Sequence, residues 1–133
     1  MLIQARIGPE AFKGGEAPYL VKCALEGFAR GCMPPWSRWN LPPLYKSGVR
    51  YRPEAEYGSG VERFAMPPET YAARFGDCDR LVIWRLCELW AAGYPASCRA
   101  VWSGHRIHVL IRHSLDESGP TEDPSILLGA VQP

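Results

Sequence analysis

Three observations predict an α+β fold. Apolar residues recur at spacings of three and four in two separate stretches, near 18–30 and 78–92, as amphipathic helices require. Two other segments, 97–103 and 107–113, alternate in the manner of strands and are joined at Ser103-Gly104, which reads as a hairpin. The chain has 133 residues and no internal repeat, so one domain over 1–133 with a substantial buried core is expected.

Taken in order, residues 1–7 alternate weakly and are expected as an edge strand. Pro18 opens a helix on which Leu20, Val21, Ala24, Leu25 and Phe28 share a face, and Gly31 with Pro34-Pro35 is expected to end it. From 36 to 60 the chain is rich in Pro, Gly and aromatic residues and has no sustained period. A long ordered loop is expected there, held to the domain by Trp36, Trp39, Tyr45, Tyr51 and Tyr57. Pro67-Pro68 precede a short helix over 69–74, which Gly76 breaks. The main helix follows over 78–92. Val82, Ile83, Leu86, Cys87, Leu89 and Trp90 share a wide arc, Arg80, Arg85 and Glu88 lie opposite, and Cys78 falls at the boundary. Asp77 is placed to cap its first N–H groups; Gly93 is placed to end it, and Pro95 prevents continuation. In the second strand His108, Leu110 and Arg112 point one way, and Ile107, Val109 and Ile111 the other. Residues 116–123 form a polar turn.

Composition excludes several classes. A formal charge of +1 gives no general attraction to nucleic acid or to a membrane surface. No run of about 18 apolar residues occurs, so no membrane helix is expected. The first residues lack the basic-then-apolar order of a signal peptide, which implies a cytoplasmic or particle-associated protein. Cys23, Cys32, Cys78, Cys87 and Cys98 are odd in number, and no pair has Cys-x-x-Cys spacing. Neither a disulfide framework nor a zinc site is expected, and no cofactor is implied.

The residues that carry chemistry begin at Gly76-Asp77-Cys78-Asp79. A thiol at a helix start feels the partial positive charge of unpaired N–H groups, which favours the reactive thiolate. An imidazole beside it can act as base and later protonate a leaving amine. A carboxylate on the other ring nitrogen fixes tautomer and orientation. The backbone N–H of Cys78 is a natural oxyanion donor. Cys87, nine residues on, faces about the opposite side, into the core. His108 is preferred over His105, which sits in the turn, and His113, at the strand end. Asp123 competes with Asp116, and is preferred because it can begin a neighbouring strand that returns beside His108. The candidate triad is Cys78, His108 and Asp123.

With those residues stand Leu89-Trp90-Ala91-Ala92-Gly93-Tyr94-Pro95-Ala96, His108-Val109 and Asp123-Pro124-Ser125. Their order and spacing over about 70–129 resemble the transglutaminase-like cysteine peptidase superfamily. Leu41-Pro42-Pro43-Leu44-Tyr45 and Ser47-Gly48-Val49-Arg50-Tyr51-Arg52 resemble small bacteriophage-encoded members. The resemblance implies a papain/transglutaminase-like fold, with a central Cys-bearing helix packed on an antiparallel sheet that carries His and Asp. It implies Cys78 as nucleophile, His108 as base and acid, and Asp123 as orienter. A peptide or protein substrate follows, such as a peptidoglycan stem peptide or a phage structural protein, and association with virion proteins is a further implication.

Two other readings come from the residues. The aromatic, Pro-rich segment 36–60 offers an interface for a catalytically silent virion adaptor. Arg38, Lys46, Arg50 and Arg52, interleaved with Tyr and Trp, have the pattern of a single-strand nucleic-acid binder, although the near-zero net charge opposes it.

Overall fold

A computed structural model describes residues 2–6, 16–53, 61–104 and 106–129, with 2–6 and 61–63 described as backbone only. Tyr57, His105 and the stretches 7–15, 54–60 and 130–133 lie outside the described residues. The order is β1 (Leu2–Arg6), α1 (Ala17–Trp39), a 3-10 turn (Leu44–Lys46), β2 (Arg50–Tyr51), β3 (Val61–Ala65), α2 (Pro67–Ala73), β4 (Phe75–Gly76) and α3 (Cys78–Ala91). There follow β5 (Ser97–Ser103), β6 (Arg106–Arg112), β7 (Thr121–Glu122) and α4 (Pro124–Leu127). The class is α+β, with a small antiparallel sheet in the order β5-β6-β7.

The sheet is built as the alternation predicts. Ser97 pairs with Arg112 and Ser103 with Arg106, and Gly104, just past the end of β5, supplies a positive φ of 63°. Val109 and Ile111 are buried on one face. β7 joins the far edge of β6 through Ile111–Glu122 and Arg112–Thr121. β1 pairs antiparallel with β3, not with this sheet.

α1 buries Ala17, Val21, Leu25, Ala29 and Cys32, a stripe at spacings of three and four. It does not stop at Gly31 or at Pro34-Pro35. It runs to Trp39 and ends on Asn40, which is left-handed at φ 49°. The N–H groups that the prolines lack would have bonded to the carbonyls of Arg30 and Gly31. Both residues are exposed, so water is available to those carbonyls. Beyond the prolines, Trp36 and Trp39 pack edge-to-face at 6.2 Å and add to the core, which offsets the lost bonds.

α3 is buried on more sides than its arc predicts. One side meets α1 and the sheet through Val82, Ile83, Leu86, Cys87 and Leu89. The other carries Leu81 and Trp84 into a second core with Leu44, Val49 and Leu128. This corrects the expectation of a loop over 36–60 as well. Its first residues belong to α1, Leu44 and Val49 are fully packed, and Arg50–Tyr51 pair parallel with Phe75–Gly76. Gly76 is needed for closeness rather than for a turn. A Cβ there would lie 3.1 Å from both Thr70 Cγ2 and Arg80 Cβ.

Trp84 is fully buried and stands edge-on to Tyr71 at 6.0 Å. Trp84→Ala is expected to cost about 3–5 kcal/mol. Urea denaturation checks this through a lower midpoint at unchanged slope; a loss below about 1 kcal/mol would mean the second core contributes little.

Candidate functional site

The start of α3 is set by Asp77, whose carboxylate accepts from the Arg80 N–H at 3.1 Å. Cys78 is the first residue of the helix and remains half-buried. Its Sγ lies 3.9 Å from Asp79 Oδ1. Cys32, Cys87 and Cys98 are buried and Cys23 is exposed on α1, so Cys78 is set apart by its place. Burial pushes the Cys98 thiol up, and a hydrogen bond with Cys32, then burial, pushes up that of Cys87. Both are thereby held protonated.

His108 and Asp123 meet directly, His108 Nε2 to Asp123 Oδ2 at 2.6 Å. The Asp-Pro-Ser turn explains how. Asp123 is the N-cap of α4, and its Oδ1 accepts from the Ser125 N–H at 3.0 Å. One oxygen is fixed by the local backbone, and the other is thereby aimed at the imidazole. Burial raises the Asp123 carboxyl, but the hydrogen bond and charge of His108, with the N–H groups of Ser125 and Ile126, hold it below its ordinary value. Asp123 caps a helix after a two-residue strand, rather than beginning a strand as expected. Asp116 is spent in its own turn, where it takes the Ser118 N–H at 2.8 Å.

A second carboxylate beside Asp123 joins sheet to helix. Glu122 accepts from Arg85 Nε at 2.7 Å and Nη2 at 3.2 Å, from Tyr45 OH, and pairs with His113 Nε2 at 2.9 Å. Arg85 also donates to Glu88 at 3.3 Å, and Glu88 takes the Leu44 N–H at 2.6 Å. This cluster fixes how α3 lies along β6. Trp90 Nε1 donates to Ala96 O at 2.8 Å, next to the Ser97–Arg112 pair, and Arg85 grips Glu122 beside Ile111. Cys78, seven residues before Arg85 on α3, packs against the core that holds Val109 and Ile111, whereas His108 stands on the alternate row of β6, where it meets Asp123.

Tyr51, which the sequence offered only as a loop aromatic, joins the two halves. Its N–H donates to Leu128 O behind α4, and its strand partner is Gly76, ahead of Cys78. Burial raises its phenol; the charges of Cys78, Asp77 and Asp123 add to this, and Arg106 opposes it. The spacing of residues 51, 78, 106 and 123 has no local signature, so no pattern in the chain marks Tyr51 or Arg106. Among the described residues no cluster of three or more His, Cys, Asp or Glu is arranged to hold a metal ion, and no helix is long and apolar enough to cross a membrane. No family model, curated protein or solved structure matches this chain.

Burial pushes the Glu122 carboxyl up, but hydrogen bonds from Arg85, Tyr45 and His113 and the charge of Arg85 hold it below its ordinary value. For Glu122 and Asp123 the folded protein binds a proton less readily than the unfolded chain. Their stabilisation is complete above the ordinary carboxylate range and is lost as pH falls through the lowered values. Glu88, raised by burial, acts in the opposite sense and tempers the loss. Stability to urea is therefore expected to fall below about pH 4. Glu122→Gln should flatten that profile and remove about 1–3 kcal/mol at neutral pH, allowing for solvent screening of a partly exposed cluster. An unaltered profile would show that the cluster does not govern acid stability.

Proposed function

We propose that this chain is a thiol-dependent hydrolase or acyltransferase acting on an amide or isopeptide bond. Cys78 is the nucleophile, His108 the base and acid, and Asp123 the orienter. The observation that carries the reading is the clamped carboxylate. Asp123 is held by the Ser125 N–H and bonded to His108 Nε2, which leaves Nδ1 as the ring nitrogen available to a thiol. A Cys-bearing helix packed on an antiparallel sheet that carries His, with Asp in the turn just after that sheet's last strand, supports a papain/transglutaminase-like fold, and with it a small phage-encoded peptidase, deamidase or cross-linking enzyme.

In this mechanism the Cys78 thiolate adds to the carbonyl carbon, and its S–C bond forms as the carbonyl π pair moves to oxygen. The N–H groups at the start of α3 stabilise that oxyanion. Collapse breaks the C–N bond, and His108 gives its proton to the departing amine. Water, or a second amine, then attacks the thioester. His108 takes the proton of the attacking group, and Cys78 leaves as thiolate. Water gives cleavage or deamidation; an amine gives a cross-link. Tyr45 covers the ionic cluster rather than presenting a free loop, since its hydroxyl is bound to Glu122 and its ring lies under Arg85 at 5.1 Å. That anchoring favours the enzyme reading over an adaptor built on 36–60.

Alkylation by iodoacetamide, followed residue by residue by mass spectrometry over pH 4–9, tests the reading. Cys23 serves as the exposed internal reference. At pH 6, Cys78 is expected to react about tenfold faster than Cys23, after allowing for the lower nucleophilicity of a stabilised thiolate. His108→Ala should abolish that advantage. Equal rates for Cys78 and Cys23 in the unaltered protein would sink the mechanism.

A further inference from the structure

The sheet has two rows of side chains, and His108 belongs to the outer one. The register places Ser97, Arg99, Val101 and Ser103 opposite Arg112, Leu110, His108 and Arg106. The inner row, Cys98 and Ala100 with Ile111 and Val109, packs on the helices. On the outer row Val101 and Leu110 are half-buried and give an apolar floor, while Arg99 and Arg106 are exposed. Arg106 is two residues from His108, about 7 Å along the strand. Among the described residues neither Arg99 nor Arg106 has an ion pair.

The carboxylates near this row are differently placed. Asp123 is bonded to His108, and Asp116 to Ser118. Asp77 and Asp79 are buried at the helix start. Arg112 has only Nη1 committed, to the carbonyls of Glu117 and Gly119. Beyond Arg99 the row opens into a cavity of about 540 Å³, lined by Lys22, Arg99 and Arg112 but also by Asp116 and Glu117, with Lys22 paired to Glu26. The cations of the row that face no such partner are Arg99, at the cavity mouth, and Arg106, at the His108 end.

We propose that the outer row from Arg106 past His108 to Arg99 and Arg112 selects an acidic, extended peptide segment as the acyl donor for Cys78. The row is about 20 Å long, the span of roughly six extended residues. Arg106 lies at the reacting end and takes a carboxylate next to the scissile amide. Arg99 takes a more distant acidic side chain. This rests on the acyl-transfer reading and adds the substrate class. Arg106 shares its row with His108, whose imidazole holds Asp123, and this supports the placement of Arg106 at the reacting end.

Two reagents separate the inference from its premise. Iodoacetamide is neutral and reports thiolate reactivity, whereas iodoacetate is a small anion and also reports local charge. In the full chain at low ionic strength, Arg106→Gln is expected to lower the iodoacetate-to-iodoacetamide rate ratio at Cys78 about threefold. The iodoacetamide rate should fall by less than the iodoacetate rate, Arg106→Lys should restore the ratio, and added salt should erase the difference. Poly-L-glutamate should protect Cys78 from iodoacetamide, poly-L-lysine should not, and Arg99→Gln should weaken that protection. An unchanged ratio in Arg106→Gln, or no protection by poly-L-glutamate, would overturn the proposal. If iodoacetamide instead reacts no faster at Cys78 than at Cys23, the acyl-transfer reading fails on its own. The rate ratio still decides whether the row attracts anions.

Discussion

Arg85 reaches from the middle of α3 to Glu122 with two N–H···O contacts, and the placement of the candidate site depends on this grip. A helix packed on a sheet by apolar side chains alone has little to fix its position along its own axis, because dispersion and burial are non-directional. A fork of two charged donors on one carboxylate is directional and fixes that position. Glu122 also takes Tyr45 OH and His113, so its oxygens are well satisfied and the pair avoids much of the cost of a lone charge away from water. From that point the chain leads back along α3 to Cys78 and back along β6 to His108. Asp123 is the next residue in the chain, so the element that locks the sheet to the helix also delivers the histidine's partner.

A second constraint comes from burying α3 on both sides. Trp84 and Leu81 commit one side to the core beneath Leu44 and Val49, and Val82 and Leu86 commit the other. Such a helix can present chemistry chiefly at its ends. Its C-terminal end is closed by Gly93 at φ 85° and by Trp90 on Ala96. At the N-terminal end, Gly76 lets Thr70 and Arg80 approach without a Cβ in the way. The short parallel pair of β2 with β4 then brings Tyr51 alongside. Cys78 stays half-exposed in a helix whose next turn is almost wholly buried.

Local patterns in the chain carried much of this. The turn at Gly104 and the Asp77 cap each follow from residues within a few positions of one another. On α1 the expected face kept Val21 and Leu25, but Leu20 is exposed and the buried stripe runs through Ala17, Ala29 and Cys32; Asp123, preferred for a strand, caps α4 instead. Pro34-Pro35 misled for a physical reason: the helix loses two bonds on its wet side and regains burial through Trp36 and Trp39. The pairing of Arg50–Tyr51 with Phe75–Gly76 is two residues long and parallel, so neither alternation nor a turn announces it. Arg85 and Glu122 read as surface charges on separate elements. Their meeting is a tertiary event, and no spacing rule connects positions 37 apart.

Asp123 shows how a local turn becomes chemistry. An Asp before Pro-Ser is held by the Ser125 N–H whatever lies nearby, because the side chain caps its own short helix. That bond occupies Oδ1 and limits rotation about the carboxylate, so Oδ2 needs only a correctly placed partner. β6 places His108 there through a ladder that Arg85 keeps aligned with α3. The imidazole, bonded through Nε2, is left with Nδ1 on its other side. Orientation therefore resides in the turn and the ladder. The apolar cores on either side of α3 supply the rigidity that keeps both in place.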